Sequence, residues 1–130
     1  MKNKIVFSIG HSNRAYSEFI KKLKENNVDT LIDIRTFPRS RFCPHFNKQR
    51  LLEELSKDKI NYIFKGNNLG GKGENIDYEE TVDELVEMIN NGKQVCVMCS
   101  EKNPNECHRQ SILGPSFLDR AIKMEHILYD

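Results

Sequence analysis

Three arginines, Arg35, Arg39 and Arg41, lie within seven residues of this chain. A guanidinium group presents a planar fork of N–H donors that binds phosphate or carboxylate through two hydrogen bonds. Pro38 stiffens the segment, and its aromatic residues are unusual for a merely solvated basic loop: Phe37, Phe42 and Phe46. We therefore predict an anion site here. The aromatic rings either stack on a base or pack onto the core, and core packing is expected for at least two of them.

A second reactive group follows a later apolar run, where Cys107, His108 and Arg109 are adjacent. The backbone N–H groups at a helix start attract anions and favour thiolates, so Cys107 is expected to be partly ionised if a helix begins nearby. Cys99 ends the apolar run itself. A cysteine phosphatase loop is excluded, because the position six residues after Cys99 holds Asn105 instead of arginine.

Zinc is an alternative use of the cysteines. One set has suitable ligand atoms: Cys99, Cys107 and His108 with Cys43 or His45. No pair in that set has the Cys-x-x-Cys spacing typical of a zinc loop. Cys96 and Cys99 have this spacing, but side chains alternate along a strand, which places these two on opposite faces. We therefore assign no metal ligands and predict Cys96 to be a core residue.

Two further polar segments follow apolar runs. In Gly10-His11-Ser12-Asn13-Arg14, the histidine either acts as an acid, base or phosphate donor or only ties the loop down. Residues 66–73 match a phosphate-binding loop except at the last position, where Gly73 replaces the serine or threonine that holds magnesium. ATP hydrolysis is therefore not expected. This segment is either a flexible flap over a pocket or an ordinary turn.

The elements that must position these groups alternate along the chain. Apolar runs predict strands at 5–9, 30–34, 62–64, 94–99 and 126–129. Apolar residues at helical spacing predict the helices between them: Tyr16, Phe19, Ile20 and Leu23; Leu51, Leu52 and Leu55, all three expected to face inward; Val82, Leu85, Val86 and Ile89. A last helix is predicted after Pro104.

Helix boundaries have signals of their own. Asp77 and Glu80 have the spacing of a capping box, and Asn91-Gly92 supplies a left-handed stop. Gly114-Pro115 should kink or break the last helix, because proline removes one backbone hydrogen bond. We find no internal repeat or linker in the sequence.

Alternating strands and helices predict an α/β fold: a single doubly wound, mainly parallel sheet of about five strands with helices on both faces. Residues 1–130 are expected to form one domain. Open parallel sheets bind ligands outside the carboxyl ends of their strands. All four polar segments follow strands, so they are predicted to meet at one edge of the sheet.

Composition narrows the classes of partner. Charged residues make up 30% and hydrophobic residues 38% of 130 residues, and the net charge is +1. Residues 35–52 contain five bases and no acid, while 77–87 contain six acids and no base. A near-neutral total argues against a protein that coats nucleic acid by charge alone. No apolar run reaches membrane-span length and no signal peptide is present, so a cytoplasmic protein with reduced cysteines is expected.

The order of these motifs resembles a known family. The motif set comprises Gly-His-Ser-Asn-Arg at 10–14, Asp-Ile-Arg-Thr-Phe-Pro-Arg-Ser-Arg at 33–41, Phe46-Asn47, Leu69-Gly70-Gly71, Cys99-Ser-Glu and Cys107-His108-Arg109. It resembles the uncharacterised family catalogued as domain of unknown function 488. The resemblance implies a fold and a site, not a reaction. Gly114-Pro115 departs from the regular helix expected there.

We therefore expect an enzyme-like pocket for a phosphate-bearing ligand, either a nucleotide or nucleic acid. Candidate catalytic residues are His11, Cys99 and Cys107. Candidate ligand-binding residues are Ser12, Arg14, Asp33, Arg35, Arg39, Arg41, Gly70, Gly71, Glu101, His108 and Arg109. The alternatives are a non-catalytic nucleic-acid or nucleotide binding module and, less favoured, a thiol or metal sensor. No particular cofactor and no membrane partner are indicated.

Overall fold

The structure, a computed structural model, describes residues 4–39, 43–71, 75–100 and 112–129. In these ranges a single sheet contains the strands β1 (Lys4–Gly10), β2 (Thr30–Asp33), β3 (Asn61–Phe64), β4 (Val95–Cys99) and β5 (Ile122–His126). The helices are α1 (Tyr16–Glu25), α2 (Lys48–Lys57), α3 (Gly66–Leu69), α4 (Tyr78–Asn90) and α5 (Gly114–Leu118), and a 3₁₀ turn spans Pro44–Phe46. In the described ranges no helix is long and apolar enough to span a membrane.

The strand order is β3-β2-β4-β1-β5, and every pair of neighbours is parallel. The predicted α/β class with a parallel sheet is therefore confirmed. The carboxyl ends are aligned: His11 N–H donates to the Cys99 carbonyl at 3.0 Å, and Lys65 N–H donates to the Asp33 carbonyl at 2.8 Å. The segments that leave β1, β2, β3 and β4 consequently begin at the same edge of the sheet.

Two buried apolar clusters cover the two faces of the sheet. One contains Val95, Val97 and Cys99 with side chains of α4 and α5, and the other contains Cys96 and Met98 with side chains of α1 and α2. This division follows from side-chain alternation along β4, which is buried at every position. The predicted separation of Cys96 from Cys99 is confirmed, and so are helices on both faces.

Three sequence predictions about individual elements are wrong. Leu52 is 39% exposed, because only Leu51 and Leu55 of α2 face the sheet. The last strand is Ile122–His126 instead of 126–129, since its alternating burial marks an edge strand that a search for continuous apolar runs misses. The capping box is absent: Asp77 has a φ of 52°, and its carbonyl, not its carboxylate, accepts from Thr81 N–H and Oγ1.

Two helix signals have clear outcomes. Gly92 has a φ of +95°, as a left-handed stop after α4 requires. At Gly114-Pro115 the helix changes type. Pro115 lies in the first turn of α5, and a wide helical turn of π type precedes it at 112–113. The residues between Pro104 and this turn lie outside the described ranges.

The glycine-rich segment begins as a helical turn, not as a flap. Leu69 of α3 is fully buried in the core. A Cβ atom on Gly66 would lie 2.0 Å from the Arg35 carbonyl oxygen, and one on Gly70 would lie 2.3 Å from Thr36 Oγ1. These two glycines therefore allow α3 to pack directly against Arg35 and Thr36, at the start of the arginine segment (residues 35–41).

We predict that Gly66→Ala lowers the free energy of unfolding by about 1–3 kcal/mol, because the added methyl group forces apart two packed backbone segments. Chemical denaturation measures the change. Asn67→Ala is the matched control, since Asn67 is an exposed residue of the same turn. Equal stability of the two variants would mean that the contact between α3 and the arginine segment is not tight.

Candidate functional site

A buried ion pair lies at the carboxyl edge of β2. Arg35 donates to Asp33 through two atoms, Nε to Oδ1 at 2.9 Å and a terminal nitrogen to Oδ2 at 2.7 Å. The backbone N–H of Arg35 also donates to Oδ1, at 3.1 Å. Asp33 is fully buried and Arg35 is 5% exposed. This two-point geometry fixes the plane of the guanidinium group.

Tyr62 completes the environment of the Asp33 carboxylate. Its hydroxyl group donates to Oδ2 at 2.5 Å. Burial of the phenol, followed by the negative charge of Asp33, raises the pKa of Tyr62 above its ordinary value. Tyr62 is not among the site residues predicted from the sequence. Its signal is register: Tyr62 pairs with Leu31, two residues before Asp33, so both side chains lie on the same face of adjacent strands.

His11 is the second partner of Arg35. A terminal nitrogen of Arg35 lies 3.3 Å from His11 Nε2, and His11 Nδ1 lies 2.7 Å from the Ser12 carbonyl oxygen. The carbonyl can only accept, so we assign the proton to Nδ1, which leaves Nε2 as an acceptor for Arg35. The imidazole also stacks on Phe46, with ring centroids 4.5 Å apart.

The protonation state of His11 follows from this environment. The ring is buried, and the positive charge of Arg35 adds to the cost of a second proton. These two effects lower the pKa of His11 from 6.5 to about 4, against smaller opposing effects of the Ser12 carbonyl and Asp33. His11 is therefore a neutral base at neutral pH.

The 3₁₀ turn supports the segment after β1 from one side. His45 Nε2 donates to the Arg14 carbonyl at 2.8 Å, and Cys43 Sγ lies 3.6 Å from the Ser12 carbonyl. Arg14 itself points to Glu18, at 3.2 Å, and lies over the ring of Tyr129. The structure therefore engages Arg14 in contacts that hold α1 and the end of the chain.

The other predicted ligand-binding residues are dispersed. Ser12 is partly exposed beside His11, Arg39 is exposed, Gly70 packs against Thr36 and Gly71 is exposed. Five predicted residues lie outside the described ranges: Arg41, Glu101, Cys107, His108 and Arg109. Of the three aromatic residues near the arginines, Phe46 is buried, Phe37 is exposed and Phe42 is outside the described ranges.

Cys99 and His11 are joined through their backbones but face different sides of the sheet. The Cys99 side chain is 4% exposed and belongs to the cluster with α4 and α5. His11 stacks on Phe46, which belongs to the cluster with α1 and α2. The structure therefore does not bring the thiol of Cys99 together with the imidazole of His11, although both are candidate catalytic residues.

The same division of faces bears on metal binding. Cys43 belongs to the cluster that contains Phe46, on the face opposite the Cys99 side chain. A zinc set that draws on both residues is therefore not assembled. Among the residues that the structure describes, no group of three or more His, Cys, Asp or Glu side chains is suitably placed for a metal ion.

A cavity of about 640 Å³ lies away from this ion pair, between α2, β3 and α4. Its lining includes Thr30 and Asn61, which begin β2 and β3, together with Leu52 and Lys93. It therefore opens toward the amino-terminal edge of these strands. Tyr62 also contributes to its lining. We place the candidate site at the opposite edge, where the ion pair and His11 meet.

Comparison with known proteins gives one match. The family model described as "Domain of unknown function DUF488" matches residues 15–79 and 73–114. These ranges include Asp33, Arg35 and Tyr62, while His11 precedes them. No curated protein and no solved structure matches the chain.

We predict that Tyr62→Phe lowers the free energy of unfolding by about 2 kcal/mol, because it removes a hydrogen bond to a buried carboxylate. Tyr16→Phe is the matched control: it removes a 2.9 Å hydrogen bond to Asp58, which is only partly buried. Its effect should be under about 1 kcal/mol. Denaturant unfolding of both variants tests this order, and a reversed order would contradict the arrangement around Asp33.

We also predict that acid destabilises the protein through His11. In the unfolded chain the imidazole takes up a proton near pH 6.5, whereas in the folded protein it does so only near pH 4. Stability is therefore lost as pH falls through this interval, by about 3 kcal/mol for this one group. Unfolding free energies of the wild type and His11→Gln from pH 7 to pH 4 isolate the effect. Parallel pH profiles would contradict it.

Proposed function

Since the chain belongs to the DUF488 family, whose description assigns no reaction, we propose a function from its own side chains: it binds a phosphate-bearing ligand in an enzyme-like site at the carboxyl edge of the sheet. Arg35 and Arg39 hold the anion, and His11 is the group that accepts a proton. Other bases of the 35–52 segment supply attraction at longer range.

The observation that carries this proposal is the orientation of Arg35 by Asp33. Two atoms of the guanidinium group are held at 2.9 and 2.7 Å, so its plane is set before any ligand arrives. One terminal nitrogen of Arg35 uses one N–H for Asp33, and the other uses one N–H for His11, so each has a second N–H that neither contact uses. These hydrogens are the donors that we assign to a phosphate oxygen. Preorganisation reduces the ordering cost of binding.

His11 supplies a proton acceptor next to this donor group. The imidazole is neutral at pH 7, and its Nε2 lone pair is directed at Arg35 over 3.3 Å. A ligand oxygen that also accepts the Arg35 hydrogen directed at Nε2, in addition to the two remaining N–H groups, frees this lone pair. Nε2 then accepts a proton from a hydroxyl group or water molecule beside the phosphate, which is general base catalysis.

Two observations favour a non-catalytic binding module as the second candidate. His11 is only 3% exposed, and the Cys99 thiol is buried on the far face of the sheet. In a module the same arginines bind, while the histidine only fixes the segment after β1. A thiol sensor has less support, because Cys43, Cys96 and Cys99 are all buried.

We predict that replacing Arg39 and Arg41 together with alanine weakens binding of a phosphate-bearing ligand while the fold stays intact. Charge-assisted hydrogen bonds contribute roughly 1.5–3 kcal/mol each, so the loss should be several kcal/mol at most. Calorimetric titration with inorganic phosphate, nucleotides and short oligonucleotides measures it. A discrete site should also show a shallower salt dependence than a protein spread along DNA.

The matched control is the double variant Lys59→Ala and Lys93→Ala, which removes two charges beside the cavity at the other edge of the sheet. It should bind phosphate like the wild type. Equal affinities for the arginine variant and the wild type, or unfolding of the arginine variant, would mean that the segment is structural.

Substitution of His11 separates an enzyme from a module. A panel of phosphate esters is incubated with the wild type and with His11→Gln, and product release is compared with calorimetric affinity. Loss of turnover with retained binding supports catalysis by His11. Intact binding with no turnover in either protein supports the module.

A further inference from the structure

Phe37 is an exposed aromatic residue between the two arginines of the proposed anion site. Its side chain is 63% exposed, and it lies two residues after Arg35 and two before Arg39. The other large hydrophobic side chains that are exposed in the described ranges are aliphatic: Leu52, Ile76, Ile112, Leu118 and Leu128. Phe37 is thus the one exposed phenylalanine there, and it lies between two arginines.

The backbone around Phe37 is held at several points. Ile34 N–H donates to the Met98 carbonyl at 3.0 Å, and Lys48 N–H donates to the Pro38 carbonyl at 2.9 Å. Arg39 N–H donates back to the Phe37 carbonyl at 2.8 Å. Gly70 packs against the side chain of Thr36. The anchored backbone therefore presents the ring outward instead of tucking it onto the core.

We propose that Phe37 is the stacking platform for a nucleobase, so that the ligand of this site is a phosphate ester that carries a planar base. This inference rests on the proposed function, because the phosphate is the group that Arg35 and Arg39 hold. Bases stack on exposed aromatic rings with little regard to sequence, and arginines track the attached phosphates. The Cα atom of Phe37 is roughly 7 Å at most from that of each neighbouring arginine, a distance that one nucleotide spans.

The aromatic ring has a physical reason to take this role. An exposed phenyl group leaves its apolar surface in water, and a base that stacks on it removes one face of the ring and one face of the base from water. A sugar phosphate without a base gains nothing from the ring. The structure thus separates two contributions to affinity, phosphate at the arginines and base at Phe37.

Calorimetry on the whole chain tests whether phosphate and base contribute separately to affinity. It uses three ligands: inorganic phosphate, ribose 5-phosphate and adenosine 5′-monophosphate. The wild type should bind the nucleotide about 10-fold more tightly than the sugar phosphate. Phe37→Ala should remove this difference and leave the affinity for inorganic phosphate unchanged. Leu128→Ala, a substitution at another exposed apolar residue, should change neither.

A second variant gives a spectroscopic readout. The chain contains no tryptophan, so Phe37→Trp introduces a single reporter that keeps an aromatic surface at this position. The nucleotide should quench its emission, and inorganic phosphate should not. A 5′-phosphorylated single-stranded oligonucleotide, compared with the mononucleotide, distinguishes the source of the base: tighter binding per molecule indicates nucleic acid, and equal binding indicates a free nucleotide.

Failure of the proposed function and failure of the stacking platform give different results in these experiments. If the wild type binds none of the phosphate ligands, the proposed function is wrong and this inference falls with it. If inorganic phosphate binds but the base adds no affinity, or if Phe37→Ala binds the nucleotide like the wild type, the stacking platform is refuted alone. In that case the exposed ring of Phe37 has another role, such as contact with a protein.

Discussion

The buried pair of Asp33 and Arg35 is the interaction on which the rest of this region depends. Burying two charges costs several kcal/mol per ion unless their mutual attraction and further hydrogen bonds offset it. Here both carboxylate oxygens accept from Arg35, and Tyr62 adds another donor. His11 accepts from the same guanidinium group. The strands β2 and β3 and the segments after β1 and β2 are therefore tied to a single electrostatic unit, and loss of either charged partner would leave the other uncompensated inside the fold.

All members of this network lie on one face of the sheet. Asp33 follows Leu31, which packs with α1 and α2, and His11 and Tyr62 also contact that side. The face covered by α4 and α5 receives the Cys99 thiol instead. This division separates the side chain of His11 from the thiol of Cys99, although the backbones of these two residues are hydrogen-bonded to each other. It explains why closeness along a sheet edge does not by itself assemble a reactive pair.

The sequence predicts the parts of this fold that local patterns encode. The apolar run of β4 and the apolar stripe of α4, with the left-handed Gly92 after the helix, are strong local signals, and the observed elements lie close to the predicted ones. The parallel sheet and its shared carboxyl edge follow from alternation. Tyr62 could not be linked to Asp33, because that contact requires knowing that β2 and β3 are adjacent and in which register. The predicted burial of Leu52 and the predicted position of β5 are wrong, because hydrophobicity alone does not distinguish a residue that faces the core from one at the edge of the fold.

The strand order has a consequence for the order of assembly. β1 and β2 are early in the chain, yet they are not neighbours: each is paired with β4, whose residues follow more than sixty positions after Asp33. The pairing of β2 with β3, by contrast, involves no residue after Phe64. On a translating ribosome, His11 and Arg35 would therefore wait for Val95–Cys99 to emerge before they meet. The site is completed late, and until then the buried charges of its central pair remain accessible to water.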